Sequence, residues 1–173
     1  SSSRAIASSP TSPRTSVKLS GNREFTDFSP NVFTTNRTVR FKEMEYAIPV
    51  EQVPAAVAEV RALIADRGWN ISFPIEVRAS AADDLMLSTA SGRATGYIAV
   101  HRFFREDERE YFGAVESIMR AHDGRPHWGK MHRRTADDLR PAYPRFDEFV
   151  AVRDRLDPDR LFANEYLTRV LGE

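Results

Sequence analysis

Glu76 and Arg78 stand two residues apart in a stretch of period-two alternation, so a strand would put both side chains on one face. A carboxylate beside a guanidinium can orient a polyol, one accepting hydroxyl hydrogen bonds and the other donating them. The competing reading is a surface ion pair on a solvated sheet face. The segment Arg125-Pro126-His127-Trp128-Gly129-Lys130-Met131-His132 gathers two of the four histidines and one of the two tryptophans into loop-like sequence. A lysine beside aromatic surface, here Lys130, suits electrostatic stabilisation of an anionic intermediate. The alternative is a loop with a packed Trp128 and a solvated lysine. His127 and His132 are five apart, which is not the i, i+4 spacing of a helical metal pair, and no third ligand is suitably spaced. No metal is therefore expected. His101 shares a strand face with Tyr97 and Phe103, as a satisfied structural histidine or as a catalytic base. Asn164 lies between aromatics in Phe162-Ala163-Asn164-Glu165-Tyr166-Leu167. It either bonds the edge of a planar ligand or caps the last helix, and the cap is the default.

The elements that must position these groups follow from the spacing of apolar residues. Thr38 to Ile48 alternates as a strand, with Val39, Phe41, Glu43, Glu45 and Ala47 on one face and Arg40, Lys42, Met44, Tyr46 and Ile48 on the other. Val53, Val57, Val60 and Ile64 recur at helical spacing, and Gly68 closes that helix. Phe73–Ser80 and Thr95–Phe104 return to period two. A helix is predicted from about Asp107 to Ala121. Another is headed by Thr135, with Asp138 completing a capping box, and a third follows Pro144 with Phe146, Phe149, Val150 and Leu156 inward. This order predicts an α+β fold, an antiparallel or mixed sheet covered by helices on one face. It is not the strand-helix alternation of a Rossmann domain, and no Gly-rich phosphate loop is present. Residues 1–37 differ: they are rich in Ser, Thr and Pro and lack a sustained apolar period, which predicts a disordered or extended leader. Its second half is expected to order locally, because Phe25, Phe28 and Phe33 call for burial.

Composition narrows the function classes. Lys plus Arg and Asp plus Glu are both 25, so bulk charge supports neither nucleic-acid binding nor a polybasic membrane anchor. The absence of cysteine excludes disulfides, Cys-ligated zinc and thiol nucleophiles. No apolar run is long enough for a transmembrane helix.

Ordered pieces of the chain resemble a known family. They are Arg40-Phe41-Lys42-Glu43-Met44-Glu45-Tyr46, Pro74-Ile75-Glu76-Val77-Arg78 with Ala82-Asp83-Asp84, Tyr97-Ile98-Ala99-Val100-His101, and Gly124-Arg125-Pro126-His127-Trp128-Gly129-Lys130. The ending Leu156-Asp157-Pro158 and Phe162–Leu167 fits as well, and the His-Trp-Gly-Lys piece is the most specific. From about Thr38 to Gly172 the chain resembles the C-terminal region of the FAD-linked aldonolactone oxidases. These include D-arabinono-1,4-lactone and L-gulono-1,4-lactone oxidases, have alditol oxidases as relatives, and are vanillyl-alcohol-oxidase-type flavoproteins. The resemblance implies that residues 38–173 are a substrate (cap) region. Glu76 and Arg78 would hold sugar hydroxyls, with His101 nearby in the pocket. Lys130 would stabilise charge at the flavin pyrimidine edge, and His127 and Asn164 would lie at the cofactor. It implies FAD, a sugar lactone or polyol substrate, and hydride transfer from a carbinol carbon to the flavin. The family's N-terminal FAD-binding domain has no counterpart here, so this chain alone is expected to be incomplete and inactive, with that domain conceivable as a separate chain. The expected location is the cytoplasm, free or peripheral to a membrane. The reading from another class is a non-catalytic cap-type domain that binds a partner or a sugar-like ligand.

Overall fold

A computed structural model describes residues 26–34 and 38–173, in a chain that divides into two units, Ser1–Arg40 and Phe41–Glu173. Among the described residues of the first unit there is one short helix, α1 (Ser29–Phe33), with Pro30 in its first turn. Asp27 Oδ1 accepts from the Phe28 N–H at 2.7 Å and from Asn31 Nδ2 at 3.1 Å. Phe28 is 82% exposed, so the burial expected of it is not found. Most of the expected leader, residues 1–25 and 35–37, lies outside the described residues.

The second unit runs β1 (Phe41–Pro49), α2 (Val53–Asp66), β2 (Glu76–Ser80), β3 (Thr95–Phe103), α3 (Arg109–Ala121), β4 (Arg125–Pro126), α4 (Ala136–Leu139), α5 (Phe146–Leu156) and α6 (Glu165–Leu171). The strands form one antiparallel sheet in the order β2-β3-β1-β4. The fold is α+β, and the sheet expected to be antiparallel or mixed is wholly antiparallel.

Alternation along β1 and β3 decides where the core lies. Met44, Tyr46 and Ile48 of β1 and Ile98 and Val100 of β3 point to one side. There they pack against Ala56 and Val60 of α2 and Tyr111, Phe112, Val115 and Met119 of α3. Gly96, opposite Ile48, lets the start of α2 sit on the sheet, since a Cβ there would lie 2.1 Å from Val53 Cγ2. The one polar atom Tyr46 brings inside donates to Glu116 Oε1 at 2.5 Å. Burial, then that carboxylate, push the Tyr46 phenol far above its ordinary range. A second cluster, Leu139, Tyr143, Phe146, Val170 and Leu171, joins α4, α5 and α6.

Three expectations are corrected. The first strand begins at Phe41 rather than Thr38, because its partner β3 ends at the Phe41–Phe103 pair. The second begins at Glu76 rather than Phe73: Pro74 has no N–H to give a ladder, and pairing with β3 starts at Glu76–Ala99. Leu156 is 73% exposed rather than inward. One turn before it, Arg153 reaches the C-terminal residues, its guanidinium donating to the Gly172 and Glu173 carbonyls at 3.1 and 3.0 Å.

Candidate functional site

The sheet face opposite the core carries the charge. Register places Glu43 of β1 opposite His101 of β3, and Glu45 opposite Ala99. On the far side of β3, Glu76 of β2 also faces Ala99, and Arg78 faces Tyr97. The small, buried Ala99 thus lies between two long acidic side chains on the neighbouring strands. Glu45, whose side chain is 4% exposed, receives the Arg78 guanidinium on its Oε2.

Lys130 reaches this face from the loop after β4. That loop is pinned to β1 at both ends: the His127 N–H donates to the Glu45 carbonyl and the Met131 N–H to the Glu43 carbonyl, each at 2.9 Å. Between these points the Lys130 N–H donates to the His127 carbonyl at 3.0 Å and closes a tight turn. The chain bulges over the sheet and brings Lys130 Nζ to 2.5 Å from Glu43 Oε1 and 2.6 Å from Glu45 Oε2. Its side chain is 18% exposed, so it is not a solvated loop lysine. Burial pushes the Glu43 carboxyl up. The Lys130 hydrogen bond and charge, with His101 and Arg78, outweigh this and hold it below the usual carboxylate range.

Aromatic anchors hold the loop from behind. Trp128 Nε1 donates to Tyr143 Oη at 3.0 Å, and the two rings meet edge to face. Tyr166 Oη donates to the Trp128 carbonyl at 2.5 Å and sits 2.9 Å from His132 Nε2. The Arg134 N–H donates to His132 Nδ1 at 3.2 Å, so the ring is neutral with its proton on Nε2, directed at Tyr166. Burial, then the Arg169 charge, lower His132 to about 4.

Of the residues singled out from sequence, Glu76, Arg78, His101 and Lys130 lie on this one face. His101 Nε2 is 3.3 Å from Glu43 Oε1 and 3.9 Å from Glu76 Oε1, with its ring between Phe41 and Phe73. Its buried Nδ1 has no hydrogen-bond partner among the described residues. His127 and Asn164 do not join the group. His127 is exposed and its Nδ1 accepts from the Gly129 N–H at 3.1 Å. Asn164 Oδ1 caps α6 by accepting from the Leu167 N–H at 2.9 Å. Lys130 and Glu43 line an open depression of about 560 Å³ with Phe41 and Trp128; Glu76 and Arg78 connect to it through Glu45 and His101. The residues not singled out are Glu43 and Glu45. Their signal was present, two carboxylates at i and i+2 on a strand whose other face is Met44, Tyr46 and Ile48. Among the described residues no group of three His, Cys, Asp or Glu side chains is placed to hold a metal, and no helix is long and apolar enough to cross a membrane.

The chain matches the family model described as D-arabinono-1,4-lactone oxidase over residues 3–170. It is 57% identical over 146 residues to an L-gulono-1,4-lactone dehydrogenase of Mycobacterium tuberculosis, an alignment covering 84% of this chain and 34% of that protein. To the L-gulonolactone oxidase of Bos taurus it is 35% identical over 159 residues, covering 88% and 36%. To the alditol oxidase of a Streptomyces species it is 37% identical over 99 residues, covering 56% and 23%. The chain spans about a third of the length of the first two of these relatives. It belongs to the D-arabinono-1,4-lactone oxidase family.

Proposed function

We propose that this chain is the substrate-side part of an FAD-dependent oxidoreductase that oxidises a sugar-derived 1,4-lactone. The observation that carries the reading is the convergence of the Lys130 ammonium and the Arg78 guanidinium on Glu45, with Glu76 beside Arg78 on the same sheet face. The relatives' names, lactone dehydrogenase and lactone oxidase, supply the substrate class.

The donor set suits the ring of a flavin better than its phosphates. The Lys130 ammonium has three N–H bonds and two carboxylate acceptors, which leaves one donor for an anionic ring edge. No Gly-rich loop is available for the diphosphate, so residues outside this chain, on the same polypeptide or another, would hold that part. When bound, FAD supplies the two-electron acceptor. Lys130 presents a preorganised positive charge where negative charge accumulates. Glu76 accepts hydrogen bonds from substrate hydroxyls and Arg78 donates to substrate oxygens, which fixes the reacting carbon. His101 lines the same face between Glu43 and Glu76. Residues 38–173 would form the substrate region.

The test is anaerobic mixing of the longer flavoprotein that contains this region with L-gulono-1,4-lactone or D-arabinono-1,4-lactone, following the oxidised flavin band. Bleaching by a lactone is expected. A bound flavin that neither lactone bleaches overturns the assignment.

A further inference from the structure

We propose that Glu45 is the positioning residue of this site, holding Lys130 and Arg78 at a fixed spacing through a single buried carboxylate oxygen. The proposal rests on the roles given above to those two cations. Lys130 comes from a loop and Arg78 from the outer strand β2, and the backbone alone does not bring their charges together. Both donate to Glu45 Oε2. Two cations this close repel one another, so the carboxylate between them is what makes the arrangement stable.

A purely structural role accounts poorly for it. The Arg78 side chain is 54% exposed and could reach water, whereas the Glu45 side chain is 4% exposed. Burying a carboxylate costs more than its pairing commonly returns, and an apolar residue facing Ala99 would stabilise the sheet at least as well. The burial instead removes the freedom of the anchor. Glu45 lies on β1, which pairs with both β3 and β4, and its own carbonyl accepts the His127 N–H of the loop that carries Lys130. Glu43 differs: its side chain is 20% exposed, and it bonds Lys130 but is not the acceptor of Arg78.

The test begins with the 173-residue chain, without flavin. It has three lysines, Lys18, Lys42 and Lys130, so reductive methylation can be read at each one by mass spectrometry. Lys42 is held by Glu108 and serves as the internal reference. In Glu45→Gln, Lys130 should be methylated about tenfold faster than in wild type, the loss expected when a charged hydrogen-bond partner goes, with Lys42 unchanged. A Lys130 rate within about twofold of wild type overturns the proposal. Should Glu45→Gln unfold, seen as Lys42 accelerating too, the wild-type chain decides. A scalar coupling between Lys130 Nζ and the Glu45 carboxylate carbon supports the anchor, and its absence sinks it.

In the longer flavoprotein, Glu45→Gln should lower both the flavin-reduction rate and lactone affinity by about tenfold, because it frees both cations. In a Lys130→Met background its effect on reduction should nearly vanish, while its effect on affinity persists. Fully multiplicative effects on reduction would show that Glu45 does not act through Lys130. If Lys130→Met alone reduces its flavin at the wild-type rate while the methylation result holds, the electrostatic role given to Lys130 fails and its positioning by Glu45 stands; a bound flavin that no lactone bleaches would instead overturn the proposed function.

Discussion

The loop that carries Lys130 depends on a histidine that must stay neutral, and this makes the fold sensitive to acid in a defined window. His132 Nδ1 accepts the Arg134 N–H, its Nε2–H points at Tyr166 Oη, and that hydroxyl donates to the Trp128 carbonyl. A second proton on Nδ1 would meet a donor instead of an acceptor. His132 is held at about 4, against an ordinary value of 6.5. Between those values the unfolded chain carries a proton that the folded chain refuses, so stability falls as the pH drops from about 6.5 towards 4. By linkage the loss from this one group between pH 7.5 and pH 5 is about 2 kcal/mol. Urea unfolding of wild type and His132→Gln at the two pH values isolates it, since the carboxylates that also protonate are common to both. Glutamine can still donate to Tyr166 but does not titrate. Wild type should lose about 2 kcal/mol more than the variant over that interval. Parallel losses in the two proteins would refute the neutral-histidine chain.

Three further outcomes are expected. In the longer flavoprotein, Lys130→Met should slow flavin reduction by about 100-fold in stopped flow with a smaller change in lactone binding, whereas Glu76→Gln should weaken binding as well as turnover. Asn164→Ala should cost about 1 kcal/mol in urea unfolding through the lost cap of α6 and leave the flavin content of the longer protein unchanged; a fall in flavin content would return Asn164 to the cofactor. Gly124→Ala should cost about 2 kcal/mol and lower the Tm, because a Cβ there would lie 2.5 Å from the Met119 carbonyl oxygen in the last turn of α3. An unchanged Tm would mean that the turn after α3 can give way.

What could be read from the sequence was local. Period two located β1 and β3 to within a few residues, and it set Glu76 and Arg78 on a shared face before any partner strand was known. The capping residues were equally local: Asp138 accepts from the Thr135 N–H at 3.1 Å, and Asn164 caps the start of α6. What could not be read was everything that depends on return of the chain. Lys130 lies 87 residues from Glu43 and 85 from Glu45, and no pattern within either segment announces the other. The resemblance placed Lys130 at the site, but the carboxylates that hold it became visible only once β4 folded back on β1. The His132–Tyr166–Trp128 chain was hidden for the same reason. Leu156 shows the opposite error, a residue with the right spacing at the end of a helix, where the spacing no longer decides burial.

The site's geometry follows from the register of one strand. A slip of one residue in β1 would exchange its faces, putting Glu43 and Glu45 into the core and Met44, Tyr46 and Ile48 outside. Burial of that apolar trio against α2 and α3 therefore also places the two carboxylates. Each of these glutamates then acts twice. Through its carbonyl it accepts a backbone N–H of the 127–131 loop, and through its carboxylate it accepts the ammonium that the loop delivers. The backbone contacts do not depend on the side chain, so Glu→Gln at either position keeps the carbonyl acceptors of the loop and removes a charge that holds Lys130, and at position 45 the charge that holds Arg78 as well. A loss of Lys130 protection with Lys42 unchanged is thus a loss of electrostatic anchoring and not of fold.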